Sequence, residues 1–124
     1  MGTTSLKESP PEPPVDIDAL HKITDGDEEF LQELVQLFLD DVPGRLIKLH
    51  AAVTNASAPE IKSEAHGLKG SCGNLSAKGM QKLMAEMERV AATDDLTKMP
   101  KFIAEVEEEF ARVRTVLEKL INKL

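Results

Sequence analysis

The sequence has little of what marks several classes of protein. Its only cysteine, Cys72, excludes an intramolecular disulfide and a cysteine cluster for zinc. Tryptophan and tyrosine are absent and there are four phenylalanines, too few for a base-stacking surface or for the aromatic-rich strands typical of β domains. No apolar run approaches the length of a membrane span, and the N-terminus lacks the apolar segment of a signal peptide. These absences predict a soluble, cytoplasmic, helical protein without membrane insertion.

Positive charge is also scarce. The chain has 22 acidic and 15 basic residues, a formal net charge of −7, which opposes binding to nucleic-acid phosphates. It contains no P-loop, dinucleotide fingerprint, HExxH or GxSxG sequence, so neither a nucleotide pocket nor a hydrolase site is indicated. Nucleic acid is therefore not an expected partner, and no autonomous kinase activity is expected.

What is present is enough for one domain. A chain of 124 residues, 41% of them hydrophobic, can bury a single core. Residues 1–15 include the run ESPPEPPV, whose prolines exclude a helix and favour an extended, mobile segment. The sequence predicts a disordered Pro-rich linker or tail over residues 1–15 and a helical domain over residues 16–124.

The helical domain begins with a short amphipathic segment from Asp16 and continues with a long one. Asp27 is placed to cap the long helix, and the acidic residues after it suit the positive end of the helix dipole. Its apolar stripe is interrupted at Pro43 and resumes nearly in phase, which predicts one long kinked helix over residues 28–54.

Three more amphipathic segments follow. In the first of them, the third helix of the chain, apolar residues advance by the 4, 3, 4, 3 step of a buried helical seam: Ile61, Ala65, Leu68, Cys72 and Leu75. Ser76 is placed to cap the next helix, which has a methionine-rich core stripe, and a last helix runs from about Met99. The predicted fold is all-α: an antiparallel four-helix bundle preceded by a short N-terminal helix. A monomer is expected, because these seams can be satisfied within one bundle.

His66 stands out against the third helix. It lies about 100° around the helix from Ala65 and about 160° from Leu68, which predicts that it points outward. Lys69 and Gly70 share its face, at i+3 and i+4. Because side chains lean toward the helix N-terminus, a side chain at position 70 would cover the imidazole, whereas Gly70 leaves space for another protein. Gly73, one turn further, is expected to keep the same face low.

This arrangement predicts a phosphoryl carrier. An exposed neutral imidazole is a nucleophile near neutral pH, and the lysine supplies a countercharge for a transferred phosphoryl group. A metal ion would need further ligands, and none is predicted on this face. The alternative interpretation is a solvent-exposed histidine beside a solvated lysine. Gly67 does not share the face of His66, and the pattern offers no reason for it. His21 and His50 lack such neighbours and are interpreted as ordinary surface residues.

The run AHGLKGSCGNLSA, residues 65–77, resembles the signature of histidine-containing phosphotransfer (HPt) domains, in which His is followed by x-Leu-Lys-Gly-Ser. The upstream GDEEFLQELVQLFLDDVPGRLIKL resembles the long helix of that family, so the resemblance covers roughly residues 16–122. One departure is Ser76, where the family usually has glycine.

The resemblance implies a phosphorelay intermediate of two-component signalling. In that family the histidine accepts a phosphoryl group from the aspartate of one receiver domain and passes it to another. Carried over, His66 is the phosphoacceptor through Nε2, Lys69 stabilises the phosphoryl oxygens and Gly70 gives access. Ser71 bonds the local backbone or helps at the site, and Glu88 orients Nδ1. The chain needs no cofactor of its own, since the receiver, in a response regulator or hybrid histidine kinase, brings the acidic pocket and Mg²⁺.

Two alternatives remain open. A helical scaffold could bind receiver domains without transfer, and it would tolerate His66→Gln. A phosphoacceptor domain of a larger histidine kinase would be labelled by an ATP-binding domain outside this sequence. Partly exposed apolar residues near His66, including Ile17, Leu20 and Leu37, are candidates for the receiver-docking surface.

Overall fold

The computed structural model describes residues 13–124, which form five helices and no strand. The helices are α1 (Ile17–Ile23), α2 (Glu28–Thr54), α3 (Ala58–Asn74), α4 (Lys78–Ala91) and α5 (Met99–Asn122). Contacts run from α2 to α3, from α3 to α4, from α4 to α5 and from α5 back to α2, which closes a four-helix bundle. Short connections reverse the chain between successive helices. The predicted all-α fold is confirmed. None of these helices combines the length and apolar character needed to cross a bilayer.

Capping side chains fix the N-terminal ends of the first three helices. Asp16 accepts a hydrogen bond from Ala19 N at 3.0 Å, and Asp27 accepts one from Phe30 N at 3.1 Å. Ser57 caps α3 through Glu60 N. Helix α2 continues without a break through Pro43, as the resumed stripe predicts.

The start of α4 differs from the prediction. Its N-cap is Ala77, which provides no side-chain hydrogen bond, so Ser76 is not the cap. Ser76 instead adopts a left-handed backbone with φ of 56° in the connection between α3 and α4. A residue with a Cβ is strained there and glycine is not, which explains why glycine suits this position in the HPt pattern.

The core confirms the predicted seam of α3. All five of its residues are buried: Ile61, Ala65, Leu68, Cys72 and Leu75. They pack with the methionines of α4, of which Met80, Met84 and Met87 are fully buried. Burial raises the pKa of the Cys72 thiol to about 12, so this cysteine is unreactive at neutral pH. With this side of α3 committed to the core, the opposite side faces out.

The packed domain begins at least one residue before its predicted start at residue 16. Of the predicted mobile segment, residues 1–12 lie outside the described residues, and Val15 is buried in the core. Asp16 N donates to Ser76 O at 2.9 Å, and the Asp16 carboxylate pairs with Lys78. Val15 therefore belongs to the bundle and not to the tail. Leu20, a candidate for the exposed docking surface, is fully buried, so that assignment is wrong.

Candidate functional site

His66 projects from the outer face of α3. Its side chain is 67% exposed, whereas its neighbours Ala65 and Leu68 are fully buried. The outward direction predicted from the helical period is confirmed. The imidazole is thus open to another protein while its helix is fixed by the core.

One ring nitrogen of His66 is held by the neighbouring helix. Nδ1 lies 2.9 Å from Oε2 of Glu88 on α4, so the predicted partner of Nδ1 is in hydrogen-bond contact. With a carboxylate as acceptor, the neutral ring carries its proton on Nδ1 and donates it to Glu88. The unprotonated nitrogen is then Nε2, on the other side of the ring. The contact fixes both the tautomer and the direction of the lone pair.

The other oxygen of Glu88 is bound by Lys69. Its Nζ donates to Oε1 at 2.8 Å, so one carboxylate joins the lysine and the histidine of successive turns. The hydrogen bond from Lys69 lowers the pKa of Glu88 below 4.5, and the bond from His66 acts in the same direction. Glu88 is therefore ionised at neutral pH. The ammonium has three N–H donors and uses one of them on Glu88.

The glycines of α3 differ in what surrounds them. A Cβ built at Gly70 has nothing within 4 Å, so a methyl group there would not touch the imidazole and only a longer side chain could cover it. The prediction that any side chain at position 70 would cover the imidazole therefore holds only for side chains longer than alanine. At Gly73 a Cβ would stand 2.7 Å from Nε2 of Gln81, so that glycine admits a side chain of α4. The space above Gly73 is thus taken by Gln81, whereas the space above Gly70 is open.

Gly67 and Ser71 meet an arginine that the sequence interpretation missed. Arg45 of α2 lays its guanidinium over Gly67, where any Cβ would collide with it. Its Nη1 donates to Ser71 Oγ at 2.9 Å and lies 3.5 Å from Asp41 Oδ2, and Ser71 Oγ donates to Gly67 O at 3.3 Å. Ser71 thus bonds the local backbone, one of its two predicted roles. The only sequence signal for Arg45 was a glycine without an evident purpose.

An apolar surface lies beside the site on α2. Phe30, Leu34 and Leu37 recur at the helical spacing of one face, and Leu37 is 66% exposed. Leu34 and Leu37 line an open groove of about 310 Å³ between α2 and α3, and Ser71 lines its α3 side. Ile17 is partly buried against the core. Of the three predicted docking residues, Leu37 is the one that is largely exposed.

Comparisons with known proteins agree on one family. The family model for the Hpt domain matches residues 33–116. The structure of histidine-containing phosphotransfer protein B from Pseudomonas aeruginosa PAO1 aligns with a TM-score of 0.86 and 28% identity, covering 92% of this chain and 99% of that one.

A second structure has the same fold at lower identity. The HPT domain of a sensor hybrid histidine kinase from Shewanella aligns with a TM-score of 0.77 and 18% identity, covering 89% of this chain and 95% of that one. No curated protein matches the sequence.

Proposed function

The chain belongs to the Hpt domain family and acts in histidine phosphotransfer of two-component signalling, and we propose that His66 is the residue that carries the phosphoryl group. The observation that supports this most directly is the hydrogen bond between His66 Nδ1 and Glu88. It turns an exposed imidazole into an oriented nucleophile with its lone pair on Nε2. Accepting the group from one receiver aspartate and passing it to another makes the domain a phosphorelay intermediate.

The transfer needs no other nucleophile. Nε2 attacks the phosphorus of a receiver's aspartyl phosphate, the N–P bond forms, and the P–O bond to the aspartate breaks to release its carboxylate. The Nδ1 proton stays in place, and the positive charge that the ring gains faces the ionised Glu88. The reverse sequence of steps passes the group to a second receiver aspartate.

Lys69 is proposed to stabilise the transferred group. Its ammonium is one helical turn from His66 and is fixed by Glu88, so it needs little movement to place an N–H on a phosphoryl oxygen. Gly70 leaves open space on the same face, which lets the receiver's backbone approach the ring. Mg²⁺ belongs to the receiver's acidic pocket in this proposal, and the chain itself contributes no cofactor.

The receiver is proposed to dock over the exposed apolar face of α2. Leu37 and Phe30 would bury there, and the groove beside Leu37, which Ser71 also lines, would extend the contact onto α3, the helix that carries His66. A monomeric bundle would present this face without a second copy.

The test is transfer of label from a phosphorylated receiver domain to the protein. Wild type is expected to gain acid-labile, base-stable phosphate and His66→Gln none. The matched control is His50→Gln, because His50 is also exposed and also has a glutamate 2.9 Å from Nδ1; it should label like wild type.

Two other outcomes would replace the proposal. Absence of label on wild type, with receiver binding intact across several receivers, would favour the non-catalytic scaffold. Label from an ATP-binding kinase domain and not from any receiver would favour the phosphoacceptor domain of a larger histidine kinase.

A further inference from the structure

Arg45 lies between α2 and α3, on the side of the bundle where the receiver is proposed to dock, in a position that phosphotransfer by His66 does not by itself require. Its guanidinium crosses from α2 to α3 and lies against the backbone of Gly67, the residue next to His66. It is flanked by Ser71 and Asp41, both of which line the apolar groove. The arginine therefore stands between the groove and the histidine.

The guanidinium is held in place yet still has donors to offer. Both of its polar partners, Ser71 and Asp41, are engaged by Nη1. Nε and Nη2 have no hydrogen-bond partner among residues 13–124, and 29% of the side chain is exposed. An arginine present only to join α2 to α3 would gain stability by placing these donors on protein acceptors. The fork is instead anchored at one nitrogen and available at the others.

Its positive charge is of the minority sign on this chain, which has 15 basic and 22 acidic residues. The protein carries a net charge of −7, which on balance repels an acidic protein that approaches it. Around His66 the picture differs, because Lys69 lies on the α4 side and Arg45 on the α2 side. The Lys69 charge is largely offset by Glu88, whereas Asp41 is 3.5 Å from Arg45 and is itself half exposed.

We propose that Arg45 is a specificity-determining docking cation, which binds carboxylates at the rim of the acidic pocket that surrounds a receiver's phosphoacceptor aspartate. The inference rests on the proposed function, since it names the surface by which the same partner is recognised. Gly67 provides the space in which the guanidinium lies, and Ser71 fixes its orientation. A planar fork set in this way selects for a carboxylate in one position more strongly than a flexible lysine does.

The test measures association of the full chain with a purified receiver domain by stopped flow, over a range of salt concentration. Arg45→Gln is expected to slow association roughly tenfold at low salt, with the deficit shrinking at high salt because screening removes the attraction. Arg45→Lys should recover part of the rate, since it restores the charge without the fork. The matched control is Arg114→Gln, which removes the same charge from α5, where Arg114 packs over Phe110; it should associate like wild type.

A second variant moves the charge without removing it. Gly67→Ala displaces the guanidinium from α3 and leaves the net charge unchanged. It should weaken receiver binding by severalfold while the thermal unfolding of each variant reports on the fold separately.

The outcomes separate the inference from a structural role and from the proposed function. Equal loss of rate at low and high salt, or loss that merely follows reduced thermal stability, would show that Arg45 only joins α2 to α3. Association of Arg45→Gln at the wild-type rate would also overturn the inference, while label on His66 would still stand. Absence of label on the wild-type protein with normal salt-dependent docking would defeat the proposed transfer and leave Arg45 as a docking residue.

Discussion

The protein contains two histidine–glutamate pairs that have nearly the same hydrogen-bond geometry but different surroundings. In both, Nδ1 of an exposed histidine lies 2.9 Å from a glutamate Oε2 on a neighbouring helix: His66 with Glu88, and His50 with Glu107. At i+3 and i+4 from His66 stand Lys69 and Gly70, whereas the same positions after His50 are Val53 and Thr54. A tethered imidazole is therefore not what sets the proposed transfer site at His66 apart from His50.

The glutamates differ as well. Glu88 is 21% exposed and binds a lysine through its second oxygen, whereas Glu107 is 48% exposed and has no lysine or arginine within ion-pair distance among residues 13–124. The His50 pair joins α2 to α5 beside a groove that Ile47 and Phe110 line. The comparison indicates that a countercharge and open space distinguish the proposed transfer site at His66, and each of these can be changed separately.

Removing the countercharge should have the largest effect. Lys69→Met is expected to slow phosphotransfer from a receiver by about a hundredfold, because it deletes a fixed donor to the transferred group. The measurement is single-turnover transfer at saturating receiver. Lys119→Met, an exposed lysine of α5, is the control and should transfer like wild type. A rate within a factor of two of wild type would mean that Lys69 serves only as a surface cation.

Removing the tether should have the next largest effect, and only at one of the two pairs. Glu88→Ala frees Nδ1 and is expected to slow transfer roughly tenfold, by analogy with the carboxylates that orient metal-bound histidines. Glu107→Ala removes the matching carboxylate from His50 and should leave transfer unchanged. Glu88→Gln separates charge from geometry, since the amide oxygen still accepts from Nδ1, and should lie between wild type and alanine. Equal rates for Glu88→Ala and Glu107→Ala would show that the two pairs are equivalent.

Filling the open space above Gly70 should slow transfer less than the changes at Lys69 and Glu88 do, and it should make the fold more stable. Gly70→Gln is expected to slow transfer severalfold by obstructing the receiver, while a better helix former raises the unfolding free energy by about 0.5 kcal/mol. Gly70→Ala should gain stability too, with little loss of rate, since its Cβ meets nothing within 4 Å. Denaturant unfolding and single-turnover transfer of both variants test the pair of effects. A rate for Gly70→Gln equal to that of wild type would show that Gly70 is not needed for the receiver to reach His66.

The fold and the direction of His66 follow from local sequence, whereas much of the site does not. A buried seam repeating every three to four residues fixes which side of α3 faces the core, so the exposure of His66 could be derived from position alone. The contact with Glu88 depends on how α3 packs against α4, across 22 residues of sequence. Only the family resemblance pointed to it.

Two further features depended on tertiary structure in the same way. Gly67 has a purpose only once Arg45 is brought over it by the register of α2 against α3. Ser76 looked like a helix cap from its residue type, but the turn places it in a left-handed conformation and gives the cap position to Ala77. A left-handed residue precedes the cap in all three turns, Gly26 before Asp27, Ala56 before Ser57 and Ser76 before Ala77. The residue-type rule is right at Asp27 and Ser57 because the extended cap position itself holds a capping side chain, and it fails at Ser76 because the serine lies one residue too early.

The smallest predicted effect concerns what Lys69 does before a phosphoryl group arrives. Its hydrogen bond is the main cause that lowers the pKa of Glu88 below 4.5. Because the folded-state pKa is depressed, the stabilising contact is complete above the ordinary value and is lost as the pH falls through the lower folded value. Carboxyl carbon NMR should therefore show Glu88 titrating below 4.5 in the wild type, and closer to 4.5 in Lys69→Met, with Lys119→Met unchanged. An unaltered titration in Lys69→Met would mean that Glu88 is kept ionised without the lysine. The lysine would then distinguish Glu88 from Glu107 only through its contact with the transferred phosphoryl group.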